Sequence, residues 1–349
     1  MEFGIFKLIF VFVVAFLVSF SATPIVSVFA RKIGAIDMPK ERKVHKEPIP
    51  RLGGLAIFYG FMVAIICFVD ISVPIRGILL GAVIIVTLGV LDDICDVNAW
   101  IKLLVQIGVA CLVIQHGVLI EHFTIPFIGI EPISLGNWSY LVTVLWIVGV
   151  TNAINLLDGL DGLAVGISSI CAITLAVISL LAGQGEITAV VLITVAIAGS
   201  GFGFMPFNFH PARIFMGDTG STFLGFILAS VSILGLFKVY AIVSFAVPFL
   251  ILSLPLLDIT VSIFRRLFSG KSPMKPDRGH LHHKLIDAGL TQKQAVILLY
   301  TLSGLLSLSA VVAYLTSWLH GLILILAVAF LTVIGYRYIF KENIEMFKK

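Results

Sequence analysis

Apolar runs of about twenty residues, separated by short polar stretches, recur from one end of the chain to the other. A run of ~20 apolar residues is long enough to cross the hydrocarbon core of a bilayer as a helix. Reading the runs between their polar punctuation predicts eleven spans, at 5–30, 53–70, 76–91, 100–115, 138–153, 163–182, 187–204, 219–236, 239–264, 295–315 and 320–338. The expected fold is an all-α polytopic membrane protein, one integral membrane domain over 1–349. The first run lacks a clear basic start and is too long for a signal peptide, so it reads as the first span. Between the fourth and fifth spans, the stretches 123–126 and 132–135 flank a glycine-containing turn, which predicts a short β-hairpin lying on the outer membrane surface.

Composition agrees with the pattern. The 349 residues are 59% hydrophobic and only 12% charged, whereas soluble domains carry about 25% charge. Cys67, Cys95, Cys111 and Cys171 have no disulfide or zinc spacing and read as packing residues. Charge then sets orientation. With the N-terminus outside, the inner segments are 31–52, 92–99, 154–162, 205–218, 265–294 and the C-terminal tail. Counting Lys102 at the inner mouth of the fourth span and Arg337 at the end of the eleventh, all of the 23 Lys and Arg except Lys7, Arg76 and Lys238 then fall on the inner side. The positive-inside rule therefore predicts an external N-terminus and a cytoplasmic C-terminus. Every aspartate except Asp70 falls on that same side, counting Asp258 in the inner half of the ninth span. The rule says nothing about acids, and an active site on the cytoplasmic face of the cell membrane would account for them.

Three acidic clusters carry the candidate chemistry. Leu91-Asp92-Asp93-Ile94-Cys95-Asp96 closes the third span, with Asp92 and Asp96 four apart and expected on one helical face. No Lys or Arg lies between Asp92 and Trp100, and two like charges ~4 Å apart repel by about 4 kcal/mol at an effective dielectric of 20. A divalent cation would relieve that repulsion, and magnesium suits hard carboxylate oxygens. The second cluster is residues 152–162, where Asp158 and Asp161 can point to one place, Asn152 and Asn155 add amides, and Gly159 and Gly162 permit close approach. The third, residues 208–221, holds Asp218 and Thr219 at the start of the eighth span. Both are good N-cap types, and capping there is compatible with a metal or phosphate role.

Basic chemistry sits beside the acids. His280, His282 and His283 lie close to Arg265, Arg266, Lys271, Lys275, Arg278 and Lys284. Zinc would want a fuller His and Cys set, so anion binding is the more economical reading. A basic loop drawn to anionic lipid explains the lysines and arginines equally well. Lys102, near the inner mouth of the fourth span, either snorkels or pairs with an acidic cluster or a substrate phosphate.

These pieces, in this order, resemble the polyprenyl-phosphate N-acetylhexosamine-1-phosphate transferases of glycosyltransferase family 4. The signatures are Arg42-Lys43-Val44-His45-Lys46 through Pro50-Arg51-Leu52-Gly53-Gly54, then Leu91-Asp92-Asp93, residues 152–162, Phe215-Met216-Gly217-Asp218, and residues 276–283. The His-Leu-His-His form resembles the WecA-type branch that makes polyprenyl-diphospho-N-acetylglucosamine. The phospho-N-acetylmuramoyl-pentapeptide transferases, the nearest alternative, have three consecutive histidines.

The resemblance implies transfer of N-acetylglucosamine-1-phosphate from UDP-N-acetylglucosamine to undecaprenyl phosphate, with release of UMP. Magnesium is the implied cofactor, with manganese as a substitute. The implied metal ligands are Asp218, chiefly, with Asp93 and Asp158, and the catalytic centre adds Asp92, Asp161, His280, His282 and His283. Lys46, Gly159, Leu160, Asp161, Asn208 and Phe215 match the uridine pocket, with Phe215 as the stacking ring. Asn152 and Asn155 match the central motif, Lys102 a phosphate-facing lysine, and Arg278 the loop over sugar and diphosphate. Membrane lipid surrounds such enzymes and many form homodimers; no nucleic-acid partner is expected. A transporter, the alternative from another class, would hold its acids near the bilayer midplane and usually show repeat symmetry, and no repeat is visible here.

Overall fold

The computed structural model describes residues 2–38, 48–123, 133–183, 188–237, 246–268, 280–316 and 319–330. Thirteen helices are found among them: α1 (Glu2–Ile33), α2 (Gly54–Phe68), α3 (Val73–Cys95), α4 (Ala99–Gln115), α5 (Trp138–Leu157), α6 (Leu163–Ala182), α7 (Ala189–Asn208), α8 (Gly217–Ser232), α9 (Ala246–Ile251), α10 (Ser253–Phe268), α11 (Leu281–Asp287) and α12 (Gln292–Leu315), followed by α13 (Leu319–Phe330). Seven are long and apolar enough to cross a membrane, and α2, α4 and α13 are shorter apolar helices. The chain is an all-α, multi-pass membrane protein.

α8 is the axis of the bundle. All its residues from Thr219 to Ser232 are buried, enclosed by α3 and α5 with α2 and α6. Phe223 of α8 meets Phe58 and Phe61 of α2 edge to face, an arrangement that suits the ring quadrupoles. α1 lies across α7 and α2, while α12 packs on α6 and α9. The outward faces remain apolar: Phe6, Phe10, Leu17 and Ile25 of α1 are all exposed. In lipid such a face needs no cover, and close packing supplies the helix association.

Three helices run further than the hydropathy breaks suggest. α3 continues to Cys95, α5 to Leu157 and α7 to Asn208, so Asp92, Asp93 and Asn155 sit on terminal helical turns and not on loops. The ninth expected span is divided into α9 and α10 at Leu252. Pro255 has no N–H to offer the Ile251 carbonyl, so the helix cannot continue unbroken across that step. The expected hairpin is present as a two-residue pairing, β3 (His122–Phe123) with β4 (Ile133–Ser134); residues 124–132 lie outside the described ones. A second pair, β1 (Ile36–Asp37) with β2 (Ile49–Pro50), has no counterpart in the hydropathy pattern.

Candidate active site

The ends of α3, α5 and α7 and the starts of α4, α6 and α8 meet at one end of the bundle, which brings residues far apart in sequence into contact. Lys102, in the first turn of α4, donates to Asp92 Oδ2 and to Asp218 Oδ2, both at 2.9 Å. Asp92 also accepts from the Val97 amide at 2.8 Å, closing the last turn of α3. Asp96, expected on one helical face with Asp92, is the C-cap of α3 in a left-handed conformation, φ 51°. The charge that neutralises Asp92 comes from Lys102 on the next helix, so the acidic cluster is not left to a metal alone. Asp218 is gripped on its other oxygen by Asn155 Nδ2 at 3.1 Å, and the same amide reaches Ser221 Oγ at 2.8 Å.

Asp93 has a different task. Its Oδ1 accepts from the Asp218 amide at 3.0 Å, while its Oδ2 accepts from the Thr219 amide and the Thr219 hydroxyl at 3.0 and 2.7 Å. A carboxylate from α3 thus satisfies amides at the start of α8 that have no partner within their own helix. Gly217 makes room for it: its φ is +70°, and a Cβ there would strike the Asp93 carboxylate. The strand-like segment at β2 completes the frame. The Phe215 amide donates to the Pro50 carbonyl, and the Gly53 and Gly54 amides donate back to Phe215 and Met216, all at 2.9 Å. Arg51 pairs with Asp37 behind it. Phe215, expected as the stacking ring, is half-buried with its backbone held in this way.

The 152–162 segment divides into two functions. Asn152 donates to Gln106 Oε1 of α4 at 2.6 Å and to the Val148 carbonyl at 2.8 Å. Asp158 lies past the end of α5, where burial, with Asp218, Asp93 and Asp161 adding like charge, pushes its carboxyl up to about 8. Asp161 Oδ2 takes His210 Nδ1 at 2.8 Å and the Ala212 amide at 3.1 Å. Asn208 spends its amide on the Gly162 N–H and the Ile214 carbonyl, at 3.1 and 3.0 Å, and is buried. Leu160 is buried in the core. In the structure these three brace the loops, beside the places that the resemblance assigns to the chemistry and the nucleotide. The Tyr300 hydroxyl of α12 adds a further brace by donating to the Gly162 carbonyl.

The histidine segment packs onto this end as α11. His282 is buried against Gly159, where a Cβ would collide with its imidazole. Burial, with His283 beside it, lowers His282 to about 4, so the ring is neutral. Its ring lies 4.3 Å from that of His283 and 5.8 Å from that of His280, centroid to centroid. His280 Nδ1 in turn contacts Asp258 Oδ2 of α10 at 3.0 Å. Lys46 and Arg278, expected at the nucleotide and the sugar, lie outside the described residues.

Asp218, Asp93 and Asp158 do not close into a three-ligand cluster among the described residues, because Asp93 spends both oxygens on α8. The donors that suit a hard cation are the Asp92 and Asp218 oxygens that Lys102 bridges. Two carboxylates fit magnesium, which ordinarily completes its shell with water and substrate phosphates. Sequence reasoning missed Gln106, Asp258, Tyr300 and the Asp37–Arg51 pair. A carboxylate inside an apolar run was the available signal for Asp258.

Comparison with known proteins gives one answer. Residues 75–236 match the pattern of glycosyl transferase family 4. A probable undecaprenyl-phosphate N-acetylglucosaminyl 1-phosphate transferase of Bacillus subtilis is 41% identical over 331 residues, covering 94% of this chain and 91% of that one. The decaprenyl-phosphate N-acetylglucosaminephosphotransferase of Mycobacterium leprae is 34% identical, covering 85% and 81%. The undecaprenyl-phosphate alpha-N-acetylglucosaminyl 1-phosphate transferase of Escherichia coli K12 is 30% identical, covering 85% and 83%.

Proposed function

This chain belongs to glycosyl transferase family 4, and from that membership we propose that it transfers N-acetylglucosamine-1-phosphate from UDP-N-acetylglucosamine to undecaprenyl phosphate, releasing UMP. The observation that carries the reading is the bridge of Lys102 between Asp92 and Asp218, with Asn155 on the far oxygen. It joins three helices around a small set of opposite charges at one end of a membrane bundle, as a reaction between two phosphate esters requires. The positive-inside asymmetry supports a cytoplasmic face for that end.

One phosphoanhydride is made as another is broken, so the chain needs no energy source beyond its donor. Catalysis is then positioning and charge neutralisation. The Asp218 and Asp92 oxygens would hold magnesium, or manganese in its place, and the bound ion would neutralise the diphosphate and favour departure of UMP. Lys102 holds a positive charge where the phosphates meet. Asn152 ties α5 to α4 through Gln106, four residues on from Lys102. The acceptor phosphate is already mostly dianionic at neutral pH, with a second pKa near 6, so Asp92 serves better to orient than to deprotonate it. The neutral His282 seats the α11 segment on Gly159 beside Asp158.

Two predictions arise here. Gly159→Ala drives a methyl into the His282 ring and unseats α11, and kcat/KM falls by about 10²-fold, the scale of a ~1 Å misplacement. Steady-state kinetics with an unchanged unfolding midpoint check it. We read the interruption between α9 and α10 as the side entry for the lipid tail, near Leu257, Val261 and Phe264, which are exposed along α10. Replacing Pro248 and Pro255 together raises the Michaelis constant for undecaprenyl phosphate; an unchanged constant removes the prolines from lipid access.

The reading itself is tested with the purified chain, undecaprenyl phosphate and magnesium, offering UDP-N-acetylglucosamine, UDP-N-acetylgalactosamine and UDP-MurNAc-pentapeptide in parallel. Lipid product from the first alone is expected, abolished by a chelator and restored by magnesium. Product from the pentapeptide nucleotide alone would move the chain to the peptidoglycan branch.

A further inference from the structure

We infer that Asp258 positions the histidine segment for catalysis, a role that rests on the transfer reaction proposed above. Asp258 is the one acidic or basic residue in an apolar stretch that runs from residue 239 to residue 264. A charge at membrane depth is costly and is kept where it has a partner and a use. Here both carboxylate oxygens are committed to α11. Oδ1 accepts from the Leu281 amide at 2.8 Å, and Oδ2 faces His280 Nδ1 at 3.0 Å. The two side chains are 7% and 5% exposed, so water does not substitute for either partner.

The consequence follows from the order of contacts. His280 is the N-cap of α11, and its side chain makes no cap of its own; Asp258 supplies that cap from another helix. With Nδ1 turned to the carboxylate, His280 has one ring orientation and one tautomer when neutral, leaving Nε2 as the functional nitrogen. The His280 ring runs within 7° of parallel to that of His282, and His282 rests on Gly159, next to Asp158. Asp258 therefore sets the angle at which all three histidines meet the acidic end of the bundle. It touches neither Asp218 nor Lys102 in any described hydrogen bond and acts through His280.

The test uses the full chain in detergent and four forms besides wild type: Asp258→Asn, Asp258→Glu, His280→Ala and the Asp258→Asn/His280→Ala double variant. UMP release by wild type establishes the underlying reaction, and its failure would sink that reading separately. Given an active wild type, Asp258→Asn lowers kcat by about 10–100-fold, the usual effect of removing a partner that orients a functional histidine. KM for UDP-N-acetylglucosamine stays near wild type, and Asp258→Glu, which keeps the carboxylate, recovers part of the rate. The double variant is no slower than His280→Ala, because the two residues act as one unit. Losses that multiply in the double variant overturn the assignment. So does a wild-type kcat in Asp258→Asn, or a loss confined to KM or matched by a fall in the unfolding midpoint.

Discussion

Asp218→Asn slows UMP release by about 10²–10³-fold, the effect of deleting one preorganised electrostatic group, while the chain stays folded. The carboxylate is held from both sides, by Lys102 on Oδ2 and by Asn155 on Oδ1. An amide of the same shape must turn its NH2 toward one of these donors and carries no charge for a cation. The turn that presents it survives, because the backbone amides of residues 218 and 219 still bind Asp93, and Thr222 Oγ1 still donates to the carbonyl of residue 218 at 2.6 Å. Kinetics titrated with magnesium, set beside a thermal melt in detergent, check both halves. Wild-type turnover in this variant would remove Asp218 from the chemistry.

Asp93→Ala produces the opposite phenotype, a loss of stability that carries activity down with it. Three hydrogen bonds to a buried carboxylate disappear at once. Bonds to charged groups contribute about 1.5–3 kcal/mol each, and the donors left behind are buried without partners. The start of α8 is the hub against which α2 and α3 pack, so the damage spreads, and a loss of roughly 3 kcal/mol or more is expected. Gly217→Ala strains a φ of +70° and pushes on the same carboxylate, and it shares the phenotype. The measurement is the unfolding midpoint in detergent, expected several degrees below wild type for both variants. An Asp93→Ala protein that melts normally yet is inactive would return Asp93 to direct participation in the reaction.

The contrast between adjacent acids shows where sequence reasoning stops. Apolar runs fix which segments are helical, because the bilayer leaves the backbone few other options, and they also show that the aspartates gather at helix ends. They do not show which way a side chain points. Asp92 and Asp93 are neighbours in the chain, yet the helical turn sends one to Lys102 and the other to the amides of α8. Asp161 also holds the 210–212 turn, a task that its spacing from Asp158 does not reveal. Lys102 and Asp218 are separated by 116 positions, a pairing that only the packing of α4 against its neighbours creates. Proline was legible as a bend in the ninth span, but the division at Leu252 depends on which carbonyl loses its donor. Asp258 was hidden for the opposite reason: a single acid in a long apolar run looks like a blemish in a span until the helix carrying it is seen against α11.

The central claim is that the Asp92–Lys102–Asp218 site couples a uridine-diphosphate sugar to a polyprenyl phosphate. Its most direct test is UMP release by the purified chain from UDP-N-acetylglucosamine, measured with and without undecaprenyl phosphate. The account predicts UMP only when the lipid is present, in equal amount to the sugar-diphospholipid formed, and lost in Asp218→Asn. Release that ignores the lipid, or a full rate in that variant, would contradict it.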